Sequence, residues 1–463
     1  MNKYYFLPLV LFIAGCTVGP DYKRPATELP VEWNSYEKMD MNVSKETKKW
    51  WESFNDSALS GLINKGVENN FDIKIAMSQV DAMIGEAESV DSNFYPQIGV
   101  GGASTRSQNT ASMLSNSQKG KLYTNNVFGL SLSSFEIDFF GKWRRASEAA
   151  KATILQSKFV QSQVQQTLTT DICLSYFKLR FLDDTFDKVN QLAVYQREML
   201  ALSKAKFDQG TATDIEVSQS KRELLKINDQ MSDLKAQIKT VENHLLMLTG
   251  GVPGEKVSRG LSISELYSKR ISIPAGLPSD LLARRPDILA AEQALIASNA
   301  NIGFVRADYF PSFSLTGALG QQSLDLSTIL KQPQRFYNFG ASVYMPLFDG
   351  GYIKGKENEA IAYKQQNVYA YKKTILSALE EVDNLLFLHS TTQDKIQSLE
   401  LQEKKVFEET RLINQRYVGG IMPYSFLLQS SVTSLTTSEN LVNEKYAFLS
   451  NQTLLIKALG GGF

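Results

Sequence analysis

The stretches FYPQIGV at residues 94–100 and YFPSFSL at 309–315 decide how this chain reads, because they are one motif written twice. Pro311 lies 215 residues after Pro96, Gly350 lies 209 after Gly141, and Gly420 lies 210 after Gly210. Around these anchors, FEIDFFGKWR at 135–144 is answered by MPLFDGGYIKG at 345–355, and KFDQGTATDIEVSQS at 206–220 by RYVGGIMPYSFLLQS at 416–430. LLMLTGG at 245–251 is answered by LIKALGGG at 455–462. Solenoid units recur every 20–50 residues, so a period of about 210 predicts two pseudo-equivalent halves sharing one architecture.

Each half carries one very long helical pattern. Residues 142–207 hold no proline or glycine, while Val160, Val164, Leu168, Ile172 and Tyr176 recur at every fourth position, as a helix stripe requires. At 1.5 Å per residue this helix is about 100 Å long. The second half repeats it over about 356–417. Shorter helices follow at about 213–248 and 424–459, lengths that suit coiled-coil packing.

Four segments switch to period two. Phe339, Ala341, Val343, Met345 and Leu347 alternate with Asn338, Gly340, Ser342 and Tyr344; Phe313, Leu315, Gly317 and Leu319 alternate with Ser312, Ser314, Thr316 and Ala318. Phe128, Leu130 and Leu132 alternate with Gly129, Ser131 and Ser133, and a weaker fourth pattern covers 96–107. A half-buried soluble sheet alternates in the same way. The flanks point instead to a membrane: Phe94, Tyr95, Phe135, Phe139, Phe140 and Trp143 bracket the first pair, and Tyr309, Phe310, Phe336, Tyr337, Phe348 and Tyr352 the second, as interfacial girdles do. The serine-rich connections at about 108–125 and 322–335 then read as outward loops. Four strands cannot close a barrel, and an open edge in lipid leaves backbone groups unpaired, so several chains must share one. Two copies give eight strands and three give twelve; a transport role favours three, because eight leave an interior filled by side chains.

The amino terminus places the chain. Residues 4–13 are apolar but too short to span a bilayer, which reads as a signal peptide. The IAGC ending at 13–16 resembles a bacterial lipobox, making Cys16 the first mature residue and the carrier of an N-palmitoyl and S-diacylglycerol lipid. Thr17, in place of aspartate, resembles lipoproteins sent on to the outer membrane.

Composition removes other classes. Lysine plus arginine and aspartate plus glutamate both number 49, so no net field recruits nucleic acid. Beyond Cys16 the one cysteine is Cys173, read as a buried free thiol. His244 and His389 sit in helical patterns outside any zinc or triad motif, so neither an enzyme nor a metal site is expected. The glycines at 250–254 and 460–462 read as helix terminators.

In combination the lipobox, GPDYKRP at 19–25, GLPSDLLARRPDILAAE at 276–292, the FYP and YFP pair, LFDGG at 347–351 and the terminal ALGGG resemble the outer membrane factor family, in its lipoprotein branch of TolC-like multidrug efflux channels. The resemblance spans nearly all of the chain after Cys16. It implies a mainly α chain with a membrane β-barrel: a homotrimer whose 12-stranded barrel continues into a periplasmic α-helical barrel. It also implies a periplasmic adaptor (membrane fusion protein), an inner membrane pump of the resistance-nodulation-division (RND) class, contact with outer membrane lipids, and no catalytic residue. The expected organisation is a signal peptide at 1–15, an anchor and equatorial segment at 16–56, a first repeat at 57–251, an inter-repeat linker at 252–282 running over the surface, and a second repeat at 283–463. By the same resemblance, the tips at 206–214 and 416–424 dock the adaptor, with Gly210 and Gly420 as contacts, and form the periplasmic gate. Gate candidates are Asp214, Arg416, Tyr424, Ser425 and Gln429. Gln429 stands where the family often has an inward aspartate, which leaves Asp214 as the nearest acidic group, with a competing role as helix N-cap. Arg285, in Arg284-Arg285-Pro286-Asp287, is expected to make ion pairs or turn contacts. A TolC-like protein secretion channel and a non-channel coiled-coil lipoprotein remain the other readings.

Overall fold

The computed structural model describes residues 17–27, 29–30, 33, 49–108, 122–271, 278–331 and 334–461; Cys16, the loop at 109–121 and residues 272–277 of the linker lie outside them. The order is α1 (Ser57–Asn69), α2 (Phe71–Asp91), β1 (Ile98–Gln108), β2 (Leu122–Ile137), α3 (Lys142–Asp208), α4 (Asp214–Leu248), α5 (Ile263–Ser268), α6 (Leu281–Arg284), α7 (Pro286–Arg306), β3 (Ser312–Ser323), β4 (Arg335–Tyr344), α8 (Tyr352–Val418) and α9 (Tyr424–Ala458). The duplication is plain in the helices: α3 and α8 both have 67 residues, and α4 and α9 both have 35. The chain packs as two compact units, one from the described residues of 1–26, 79–158 and 290–372, the other from those of 27–78, 159–289 and 373–463. Each unit draws on both halves, so the repeats are not separately packed bodies.

The first unit holds one antiparallel sheet in the order β1-β2-β3-β4. Its register puts Leu130 opposite Val100 and Leu319, Leu132 opposite Ile98 and Gly317, and Val343 opposite Phe313, so most apolar positions of the four strands share one face, Val127 and Phe336 being on the other. The other face carries Gly99, Gly101, Ala103, Gly129, Ser131, Ser314, Thr316, Ala318, Asn338, Gly340 and Ser342, all small or polar. Gly129 and Gly320 face each other, and a Cβ on either would run into the backbone of the opposite strand. Phe128 lies over Gly102 and Phe339 over Gly317, equivalent pairs in which an aromatic ring covers a bare backbone. β2 shifts register between Leu132 and Phe135. The repeats show where it falls: Phe339-Gly340 follows Phe128-Gly129 by 211 residues, whereas Gly350 follows Gly141 by 209, so the first half is two residues longer here, at Ser133 and Ser134, and the bulge takes up one of the two against β3. The alternation expected to carry on through Met345 and Leu347 stops at Tyr344, because Pro346 cannot donate to a ladder; Leu347 is almost fully exposed.

Residues 18–24 are strapped to this unit. Val18 N–H donates to Phe140 O at 3.0 Å, and the buried Arg145 reaches Val18 O (3.1 Å), Gly19 O (3.3 Å) and the Asp21 carboxylate (2.8 Å). The buried Asn299 donates to Pro20 O at 2.8 Å. Buried Glu292 takes two bonds from the Arg24 guanidinium, 2.6 and 2.7 Å, and one from the Tyr22 hydroxyl at 2.9 Å. The GPDYKR stretch is thus a set of contacts, and it brings Thr17 against Gly141 at the end of β2.

In the second unit, Leu182, Val189 and Ala193 of α3 pack on Ile227 and Leu234 of α4, and Tyr267 of α5 packs with Ile396, Leu441 and Phe448 of α8 and α9. The linker therefore does not merely cross the surface: Ile263 and Leu266 are fully buried anchors. Buried Asp56 joins three segments. It caps α1 through Ala58 N and Leu59 N (2.9 and 3.2 Å) and accepts from Tyr176 Oη (2.7 Å) and Leu261 N (2.9 Å), while Tyr176 Oη accepts from Gly260 N (2.9 Å). Cys173 is buried and unpaired, its thiol pushed up by desolvation. Burial, and then Arg270, holds His389 down at about 4, so its ring stays neutral against Phe448.

Each inner helix ends in an equivalent lock. The last carbonyl of α4, Leu248 O, accepts from Asn70 Nδ2 at 3.0 Å; that of α9, Ala458 O, accepts from Arg285 Nη1 at 2.9 Å. Ala458 follows Leu248 by 210 residues, and Arg285 follows Asn70 by 215. Gly250 and Gly460, both at positive φ, turn the chain away where a side chain would strike Asn69 or Arg284. Arg285 also binds Asp287 (2.8 Å) and Glu381 (2.8 Å), the ion-pair role expected of it.

Candidate functional site

Two features bear on function, and each belongs to one unit. The first is the sheet. One face is mainly apolar and aromatic, the other mainly small and polar with Val127 and Phe336 toward one end, and β1 and β4 each pair on one edge within the described residues. A surface of this kind suits hydrocarbon outside and water inside, with small residues leaving the inner side wide. In the second unit lie the tips where the long helices turn back.

The tips are near copies. At the first, Gly210 N donates to Phe207 O and Thr211 N to Lys206 O, both at 2.8 Å; at the second, Gly420 N donates to Tyr417 O (2.9 Å) and Ile421 N to Arg416 O (2.8 Å). Gly210 and Gly420 have φ of 72° and 69°, the left-handed region these turns require. An added Cβ would meet nothing within 4 Å at either glycine, so both present bare backbone. Around them Phe207, Ile215, Val418, Ile421 and Phe426 are exposed.

The expected gate residues divide. Asp214 is not the N-cap: that role falls to Thr213, whose side chain accepts from Glu216 N, because Thr213 has the extended backbone a cap needs and Asp214 is already helical. Asp214 is exposed, as are Arg416 and Gln429, while Tyr424 and Ser425 are half-buried. Among the described residues no hydrogen bond or ion pair joins Asp214 to Arg416, Tyr424, Ser425 or Gln429. Tyr424 does have a partner that the sequence did not disclose. Its hydroxyl donates to Glu198 Oε2 of α3, tying the start of α9 to the first repeat, and its ring lies 5.1 Å from that of Tyr417. The bond to Glu198, then burial, pushes the Tyr424 phenol up to about 12. No motif marks Glu198, which stands 226 residues from its partner.

Comparison with known proteins agrees with this arrangement. Over 478 residues the chain is 27% identical to the cation efflux system protein CusC of Escherichia coli (strain K12), covering all of both chains. It is 28% identical over 456 residues to the toluene efflux pump outer membrane protein TtgC of Pseudomonas putida, covering 97% of this chain and 93% of that one. The solved outer-membrane channel OprN superposes with a TM-score of 0.86 at 25% identity, over 96% of this chain and 99% of that one. The family model for outer membrane efflux proteins matches residues 62–251 and 277–461, one block for each repeat, and the chain belongs to that family.

Proposed function

We propose that three copies of this chain build one twelve-stranded barrel in the outer membrane, the exit channel through which an inner membrane pump of the RND class, joined by a periplasmic adaptor, passes small molecules out of the cell. The observation that carries this is the sheet, mainly apolar on one face and mainly small and polar on the other, with β1 and β4 as its edges within the described residues. Four strands exposed to lipid on such edges leave backbone groups unpaired at several kcal/mol each, and only closure with further copies removes the loss. The helix tips, with bare glycines ringed by apolar side chains, suit docking of the adaptor. Asp214, Arg416, Tyr424, Ser425 and Gln429 supply the polar contacts that hold the closed state and can be exchanged on docking. Cys16 carries the lipid, and Val18 bound beside the end of β2 tethers that lipid next to the barrel rim. The role asks for no catalytic residue.

Native mass spectrometry of detergent-extracted protein, followed by planar bilayer recording, tests the reading. Three chains and discrete conductance steps are expected; a monomer with protected strands refutes it. Labelled palmitate entering the wild type but not Cys16→Ser supports the lipid, and equal labelling of both removes it.

A further inference from the structure

The duplication fixes more than the number of halves, because β4 repeats β2 and β1 repeats β3. Within the chain, β2 meets β3 in a known register: Phe128 opposite Gln321, Gly129 opposite Gly320, Leu130 opposite Leu319 and Leu132 opposite Gly317. Moving from β2 to β4 adds 211 residues, as Phe339 follows Phe128, and moving from β3 to β1 subtracts 215, as Pro96 precedes Pro311. We propose that β4 of one copy pairs antiparallel with β1 of a second copy in the register so obtained: Phe339 opposite Arg106, Gly340 opposite Thr105, Ala341 opposite Ser104 and Val343 opposite Gly102. This rests on the shared barrel proposed above and specifies the seam that closes it.

One feature independent of the offsets supports the register, and a second is a consequence of it. The first is the face of the sheet. Ala341 and Val343 belong to the apolar face with Leu315 and Phe313, while Ser104 and Gly102 lie on that same face opposite Asn126 and Phe128. A slip of one residue would turn the apolar set of β4 toward the small, polar face of β1. The second is the glycine pair. Gly317 is flanked by Leu132 on one side and Phe339 on the other. Gly102, its counterpart, has Phe128 on one side within the chain. The proposed seam supplies Val343, the counterpart of Leu132, on the other, so both bare glycines are flanked by one aromatic and one aliphatic side chain.

Slips of two residues keep the faces and are what the test must separate. Paired cysteines are introduced as Ser104→Cys with Ala341→Cys, and oxidised with copper phenanthroline. Directly opposite residues lie about 4.5–5.5 Å apart, within disulfide reach, whereas residues displaced by two lie about 7–8 Å apart. The Ser104/Ala341 pair is expected to yield covalent oligomers up to three chains on non-reducing gels. Gly102→Cys or Arg106→Cys with Ala341→Cys should stay monomeric on the same gels. A second pair on the other face, Ser107→Cys with Asn338→Cys, covers the case in which the first disturbs assembly. Trimers by native mass spectrometry in which a slipped pair links, or in which neither expected pair does, overturn the register and leave the trimer standing. Absence of any oligomer in the wild type overturns the shared barrel itself.

Discussion

Replacing Asp56 with alanine should be among the most damaging single changes outside the membrane. The buried carboxylate caps α1 and receives Tyr176 Oη and Leu261 N, and so ties the segment before α1 to α3 and to the linker. Loss of the cap costs about 1 kcal/mol. The Tyr176 hydroxyl and the Leu261 N–H then lose a charged acceptor, at about 1–3 kcal/mol each. The total for Asp56→Ala is about 3–7 kcal/mol. Asp56→Asn keeps an oxygen for the cap but turns an amide N–H₂ toward two donors, so it should cost about 1–3 kcal/mol. Urea unfolding of the purified protein, followed by helical circular dichroism, gives both values. Asp56→Ala combined with Tyr176→Phe should be less damaging than the sum of the two, because they remove one shared bond. Alanine and asparagine variants of equal stability, or strict additivity with Tyr176→Phe, would refute the reasoning.

Phe339→Arg, midway along β4 on the apolar face, should weaken assembly by about 2–4 kcal/mol, the cost near a bilayer midplane, while Asn338→Arg on the opposite face should be tolerated; trimer yield after extraction compares them, and equal losses contradict the assignment of faces. Gln429 is neutral, so divalent cations added at the periplasmic side should block single-channel current weakly in the wild type and strongly in Gln429→Asp, for want of a Coulomb attraction in the former; strong wild-type block abolished by Asp214→Asn moves the constriction to the first tip. The Tyr424 phenol is raised from its ordinary 10 to about 12, so its bond to Glu198 contributes fully below about pH 10 and is lost as pH rises through 12. Closed-state leak should therefore grow over that window in the wild type and be insensitive to it in Tyr424→Phe; a wild-type leak unchanged from pH 9 to 12 removes Tyr424 from the closed state.

Much of the architecture was legible because it is written in local periodicity. A helix of 67 residues announces itself when proline and glycine are both missing from it, and the four strands show their faces in alternate residues. The tips were legible from Gly210 and Gly420, since positive φ restricts the choice of residue. What stayed hidden was joined across long separations. Nothing near Asp56 points to Tyr176, 120 residues on, and Asn70 has no local mark as the counterpart of Arg285; the two became equivalent only once both were found on the last carbonyl of an inner helix. The strap was visible as the words GPDYKRP but not as contacts, because its partners Arg145, Glu292 and Asn299 lie on helices of both halves. The cap at the first tip was not legible either: Thr213 and Asp214 are both good caps, and only the backbone angles give the role to Thr213.

The inserted pair Ser133-Ser134 has a bearing on how identical subunits count themselves into a ring. Six interchangeable hairpins would have sixfold symmetry, and a subunit displaced by one hairpin would fit as well as one in its proper place. In the proposed ring the bulge of β2 distorts the seam after the first hairpin of every subunit, while the seam after the second, built on β4, would stay straight, which would lower the symmetry to threefold. A displaced subunit would then set a kinked edge against a strand laid for a straight one and lose the register of a whole seam. In such a ring the two serines would give an internally repeated chain a sense of first and second, and with it a single way to close.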